Sequence, residues 1–249
     1  MKILLSPAKL QRAYPGNTQG ALLFKKETKL LIQELKLWTV LDFADRMKLS
    51  QDKATETFEQ FQKWGKKGNQ INTAPALFAY IGEAFKALDA EQLSPRELDY
   101  LQANLLILSG LHGLLRPFDL IEPYRLEMAQ RGVAPQGLSL YAFWRAPIEK
   151  CLLKQLHKNE MILNLASSEY SDVVQDERLR KRFITPHFVE QKNGQLKTVS
   201  VFSKQARGTM ASWCAARSIE SVVAVKSFSE MGYVFSAVHS DDCNWYFIR

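Results

Sequence analysis

Leu108-Ser109-Gly110-Leu111-His112-Gly113-Leu114-Leu115-Arg116-Pro117 is the stretch on which the reading of this chain turns. Just upstream, Ser94-Pro95-Arg96-Glu97 has the marks of a helix start: a serine N-cap, a proline at the first helical position and a glutamate that closes a capping box. Leu98, Leu101, Leu105 and Leu108 follow at helical spacing. The pattern predicts a helix that runs into the stretch and ends at Gly110, where a C-terminal glycine belongs. A second glycine, Gly113, bends the chain again and Arg116 follows it. A turn of this kind between helices exposes backbone N–H groups and suits an anionic oxygen, most simply a phosphate.

Gly110-Leu111-His112-Gly113 resembles the hairpin of a helix-hairpin-helix element, although it has one residue more than the usual Gly-hydrophobe-Gly. A helix C-cap followed by a tight turn would leave the same glycines. Arg116 weights the reading toward phosphate, because a cation beside free amides would serve no purpose in a purely structural turn.

Outward from this stretch, Lys2–Leu5 reads as a short buried strand ending at Ser6-Pro7. Ala21 to Thr39 reads as an amphipathic helix, and Ser50 caps another that carries Phe58, Phe61 and Trp64 and stops at Gly65. Lys66-Lys67-Gly68-Asn69 is then a loop. A further helix is expected from about Leu140 to His157. Two strand-like runs flank Lys192-Asn193-Gly194-Gln195, where Asn-Gly signals a hairpin. A helix is expected over about Lys204 to Ile219, and strands at Tyr233–Phe235 and Trp245–Ile248. No linker or repeat interrupts residues 1–249, so the reading is one mixed α+β domain. The absence of regular βα alternation argues against a doubly wound sheet.

Hydrophobic content of 46% and charged content of 24% are those of an ordinary globular chain. The apolar run at the N-terminus is far too short for a signal peptide or a membrane span. Cys151, Cys214 and Cys243 are scattered, as are the four histidines, so reduced thiols, a cytoplasmic location and no metal site are expected. The net charge of +7 is concentrated: Arg178 to Arg217 holds nine Lys or Arg against the single acid Glu190. Such a segment fits a polyanion partner or a solvated basic face, with nothing in the composition to choose between them.

Several polar groups stand at predicted element ends. Lys9 follows the first strand, as a phosphate ligand, a desolvated nucleophile or a merely exposed lysine. Arg125 has the fork geometry to grip a phosphate or carboxylate, or to pair with Glu127 or Asp119. Glu122 and Glu127 form an acid/base pair of unspecified geometry. Asn164 and Ser167 lie where a buried strand ends in hydroxyls and a carboxylate, which either line a site or cap the next helix. Lys204 and Arg207 are read at the opening of a helix, where its N–H groups would join them on an anion.

Ser-Pro-Ala-Lys at 6–9, the stretch 108–117 and Pro-Tyr-Arg-Leu-Glu-Met at 123–128 resemble the YaaA family of peroxide stress resistance proteins. Asn-Leu-Ala-Ser at 164–167, Glu169-Tyr170, Lys204 and Ala-Arg-Gly at 206–208 are similar to the same family, in the same order. His112 stands where that pattern has tyrosine, and Leu10 where it has threonine. The resemblance implies a cytoplasmic bacterial protein that limits peroxide damage and helps keep unincorporated iron low. It implies a single α+β domain with a positively charged cleft and a helix-hairpin-helix element, and binding to duplex, bent or branched DNA. Carried over by position, its motif residues are Lys9, Gly110, Gly113, Arg116, Arg125, Ser167, Lys204 and Arg207.

Two readings of function follow. In one, DNA phosphates meet Gly110, Gly113, Arg116, Lys204, Arg207 and the basic run Arg178, Arg180, Lys181 and Arg182, largely without sequence preference and with steep salt dependence. In the other, the chain is an enzyme acting on a nucleotide or other phosphorylated small molecule in a pocket of Lys9, Arg125, Glu127, Asn164, Ser167, Lys204 and Arg207, with Lys9 or Glu127 as the working base. No cofactor is expected in either, and direct iron sequestration lacks any ligand spacing. A deep enclosed pocket would favour the second reading; an open groove wide enough for a duplex would favour the first.

Overall fold

The computed structural model describes residues 1–14, 20–66 and 73–249. The first half of the chain holds strands β1 (Lys2–Leu5) and β2 (Leu10–Gln11) and helices α1 (Lys25–Leu35), α2 (Val40–Met47) and α3 (Gln51–Lys63). There follow β3 (Ala74–Pro75), α4 (Ala76–Ala79), β4 (Tyr80–Ile81), α5 (Glu83–Leu88) and α6 (Pro95–Asn104). The middle contributes β5 (Leu105–Ser109), β6 (Gly113–Leu115), β7 (Leu120–Ile121), α7 (Leu140–Gln155) and β8 (Ile162–Leu165). The last part adds α8 (Ser168–Ser171), α9 (Glu177–Arg180), β9 (Phe183–Lys192) and β10 (Gln195–Lys197). It ends with α10 (Ser200–Ala216), β11 (Val234–Ser236) and β12 (Asn244–Ile248).

The stretch that opened the reading is a β-hairpin, not a turn between helices. The capping box forms as expected, with Ser94 N donating to Glu97 Oε2 at 2.7 Å and Glu97 N donating to Ser94 Oγ at 3.4 Å. The helix it starts nevertheless stops at Asn104, and Leu105–Ser109 continues as a strand paired antiparallel with Gly113–Leu115. The cause is burial on every side. Leu105, Leu106, Ile107 and Leu108 are all buried, and a four-residue apolar run is accommodated by a central strand covered on both faces. Periodicity alone does not separate such a run from the end of a buried helix.

The principal sheet has the order β11-β12-β9-β8-β1-β5-β6, with β10 added to β9. Its centre is parallel: β1 pairs with β5 and β8, β8 with β9, and β9 with β12. The chain is therefore mixed α/β around a mostly parallel sheet, which corrects the expectation drawn from missing βα alternation. The alternation is hidden because the β1-to-β5 crossover carries several helices and short strands before returning to the sheet. Strand order makes β1 and β8 a switch point. From β1 the chain leaves toward β5 on one side, and from β8 toward β9 on the other, so a crevice opens at their carboxyl ends.

The remaining elements lie close to where the sequence placed them. Asn193 and Gly194 have φ of +51° and +74°, the two left-handed residues that a tight two-residue hairpin turn requires. The helix at Ala21–Thr39 is shorter, Lys25–Leu35, and the next begins at Val40 behind a Thr39–Asp42 capping box. Helix α10 starts at Ser200, so Lys204 and Arg207 lie inside it rather than at its opening, and its free N–H groups are not beside them. Residues 67–69 of the expected loop lie outside the described residues.

Candidate functional site

A cavity of about 410 Å³ occupies the switch-point crevice. Its base is the ends of β1 and β8, Leu5 and Leu165, and the two strand ends are tied by Ser167 N donating to Ser6 Oγ at 2.9 Å. One wall is helix α10 laid tightly on α5. A Cβ at Gly208 would stand 1.8 Å from the Ala84 carbonyl oxygen, so only glycine lets the helices approach this closely.

That wall presents Lys204 and Arg207, three residues apart and hence on one helix face. Arg207 makes no hydrogen bond or ion pair with any described residue, and burial lowers the pKa of its guanidinium. Lys204 is exposed and likewise makes no ion pair among the described residues.

Across the cavity stand two carboxyl groups in unlike settings. Glu127 is ion-paired with Lys9 at 2.9 Å and approached by Arg125 at 3.6 Å. Glu169 has a buried Oε1 with no hydrogen-bond partner. Its pKa is raised, first by burial and then by the charge of Glu127; the Ala129 backbone, Lys9 and Lys204 act in the opposite direction. The neighbouring Tyr170 is buried, and burial followed by Tyr124, Glu169 and Glu127 pushes its hydroxyl pKa up, so it stays a neutral donor.

The structure thus brings Lys9, Glu127, Ser167, Lys204 and Arg207 together on one cavity, with Arg125 lining a smaller recess that shares Lys9 and Glu127. It places the other candidates elsewhere. Gly110 and Gly113 are buried: a Cβ on Gly110 would meet Leu126 O at 2.6 Å, and Gly113 (φ +70°) faces the Trp144 ring. The hairpin turn is closed from within by Ser109 Oγ, which accepts from Leu111 N and His112 N and sits 2.7 Å from the Tyr124 hydroxyl. Trp144 Nε1 donates to Gly110 O at 2.8 Å. His112, at the turn's centre, is buried and its pKa falls to about 3, so it is a neutral core residue.

Arg116 holds the buried Asp119 carboxylate, donating at 2.8 and 3.1 Å, and also donates to Ala21 O. Asn164 is internal to its strand end, donating to Thr185 Oγ1 and accepting from Ala166 N. Arg178, Arg180, Lys181 and Arg182 precede β9, and Ile162 N donates to Arg182 O, which fixes this run at the amino ends of the parallel strands, opposite the cavity. Each has a partner there: Asp176 for Arg178, Asp172 for Arg180, Glu177 for Lys181 and the His157 carbonyl for Arg182.

Sequence reasoning passed over α5, whose Glu83 and Lys86 also line the cavity, and gave Glu169 no separate role. The polar cluster after β8 was a signal for Glu169; nothing local in Gly82-Glu83 pointed to the site. Among the described residues no group of His, Cys, Asp and Glu converges to hold a metal ion, and no helix is long and apolar enough to cross a membrane.

Fold and site together define a mixed α/β protein with a mixed-charge cavity at the switch point of a mostly parallel sheet. The chain belongs to the family described as peroxide stress protein YaaA, whose model matches residues 1–239. It is 40% identical over 256 residues to a UPF0246 protein of Legionella pneumophila strain Corby, covering 100% of this chain and 99% of that one. A UPF0246 protein of Janthinobacterium sp. strain Marseille is 38% identical over 254 residues, covering 100% and 98%, and one of Marinomonas sp. strain MWYL1 is 36% identical over 252, covering 100% and 97%.

Proposed function

We propose that this chain serves the peroxide stress role of its family, limiting iron-dependent oxidative damage, by binding a phosphorylated small molecule in the switch-point cavity. The observation that carries the reading is Arg207: a partly buried guanidinium facing a cavity, without a carboxylate partner among the described residues, carries a desolvation cost that an anionic ligand would offset. Lys204 on the same helix face would take a second phosphate oxygen, and the Ser6–Ser167 hydroxyls stand at the strand ends where such ligands are held in open α/β sheets. The acids argue for a small ligand. Glu83 and Glu127 line the same cavity paired with Lys86 and Lys9, and Glu169 lines it without an ion pair among the described residues, so a nucleic-acid backbone passing along it would meet an uncompensated carboxylate.

Duplex or branched DNA is the second reading, favoured by the net charge of +7 and by the exposed Lys204 at the cavity mouth. It would be largely sequence-independent and would not use a helix-hairpin-helix element. One pair of titrations decides between the readings. Calorimetry with inorganic phosphate and simple alkyl phosphates is expected to give binding that weakens about tenfold or more in Arg207→Gln. Labelled duplex and branched DNA, followed by anisotropy across a salt series, is expected to bind weakly. Tight DNA binding whose logarithm falls by about 0.9 per phosphate contact with log salt, lost on reversing Lys204 and Arg207, would establish the DNA reading instead.

A further inference from the structure

The charges that line the cavity do not cancel evenly, and the remainder has a shape. Lys9 is taken by Glu127 at 2.9 Å, and Lys86 lies 3.8 Å from Glu83, which also accepts from Gln205 Nε2 at 2.7 Å. With those pairs set aside, Lys204, Arg207 and Glu169 remain without an ion-pair partner among the described residues. Two cations sit on helix α10 and one carboxylate sits on α8, at the end of β8.

A phosphate monoester carries about −1.5 to −2 charge at neutral pH and would match the two cations. It would leave Glu169 untouched. Glu169 makes no ion pair among the described residues, its Oε1 is buried without a hydrogen bond, and Lys9 on the same cavity is already paired with Glu127. A partly buried carboxylate without a counter-ion is costly, and a cation supplied by the ligand offsets that cost.

We infer that the ligand of this cavity is a phosphorylated amine, its phosphate on Arg207 and Lys204 and its ammonium group paired with the Glu169 carboxylate. The inference rests on the phosphate site proposed above and adds the second pole of the ligand. Such a compound carries the inverse of the charge the cavity leaves over: an anionic end for two cations and a cationic end for one carboxylate. It also accounts for why an anion-binding cavity carries Glu169 at all, since that carboxylate opposes a simple phosphate.

The test is a matched series: ω-aminoalkyl phosphates of increasing chain length against alkyl phosphates of the same length, titrated calorimetrically into the wild-type chain, Arg207→Gln and Glu169→Gln. In the wild type, at least one aminoalkyl phosphate is expected to bind about tenfold tighter than its alkyl counterpart. Glu169→Gln is expected to erase that preference while alkyl phosphate affinity holds or rises, and Arg207→Gln to weaken both compounds. Because the preference is measured on the wild type, it survives a variant that folds poorly. Equal affinity for both members at every length, with dependence on Arg207 intact, overturns the amine and leaves the phosphate site standing. No binding by either compound, or binding indifferent to Arg207, overturns both.

Discussion

Two clusters of cations lie at opposite ends of the same sheet and have opposite fates. Arg178, Arg180, Lys181 and Arg182 are crowded in sequence, yet at the amino ends of the strands each is engaged by a carboxylate or a carbonyl. Lys204 and Arg207 are sparser in sequence, yet at the carboxyl end of β8 the fold leaves them facing a cavity without an ion-pair partner among the described residues. Cation density along a chain measures how much charge there is. Whether that charge remains available for a ligand depends on which acids the fold brings beside it.

The sharpest way to break the contrast is to pry open the wall that creates it. Gly208→Val would drive a side chain into the Ala84 carbonyl, which a Cβ already approaches to 1.8 Å. The expected cost is at least about 3 kcal/mol in chemical denaturation, with phosphate binding lost as α10 moves. Unchanged stability would mean that α10 and α5 are not locked as described.

Arg116 tests whether a cation read as a phosphate ligand is structural. Arg116→Gln leaves Asp119, 1% exposed, without its charged partner and is expected to destabilise the fold by about 2 kcal/mol. Phosphate affinity, measured by calorimetry, should not change. The reverse outcome, normal stability with weakened binding, would return Arg116 to the site.

Arg207→Gln set beside Arg180→Gln compares the two ends of the sheet directly. Alkyl phosphate affinity should fall about tenfold in the first, a change of about 1.4 kcal/mol, and stay constant in the second. Equal losses would show that the effect is long-range field and not contact.

The smallest effect concerns pH. The pKa of Glu169 is raised by burial and Glu127, against the pull of the Ala129 amide, Lys9 and Lys204. A group whose folded pKa is raised stabilises below its unfolded pKa, and that contribution is lost as pH rises through the folded value. Glu169→Gln removes the charge, so its Tm should match the wild type in acid and exceed it near neutrality. A gap that widens on acidification would contradict the assignment. Arg178→Gln, by contrast, is expected to leave the melting curve unmoved.

Much of the framework was legible. The 94–97 capping box, the Asn193-Gly194 hairpin turn and the strand at Lys2–Leu5 rest on local chemistry that the fold left in place. Lys9 and Ser167 stand just past the ends of β1 and β8, where parallel strands collect their loops, whereas Lys204 and Arg207 reach the same cavity from inside α10. The error at Leu105–Leu108 has one cause: an apolar run buried on all sides satisfies helical and strand patterns alike, and only the neighbouring strand β1 decides which forms.

Local stereochemistry and side-chain character were therefore settled by the sequence alone: the helix start at Ser94-Pro95, the tight reversal at Asn193-Gly194, and which side chains carry charge. Partnership was settled only by tertiary structure. Glycines 110 and 113 became packing points because Trp144 and the 126–127 backbone close on them, Arg116 became the counter-ion of Asp119, and Arg207 was left without an ion-pair partner among the described residues. The physical reason is that desolvation and ion pairing depend on distances between residues remote in sequence, and no window along the chain contains both members of the pair.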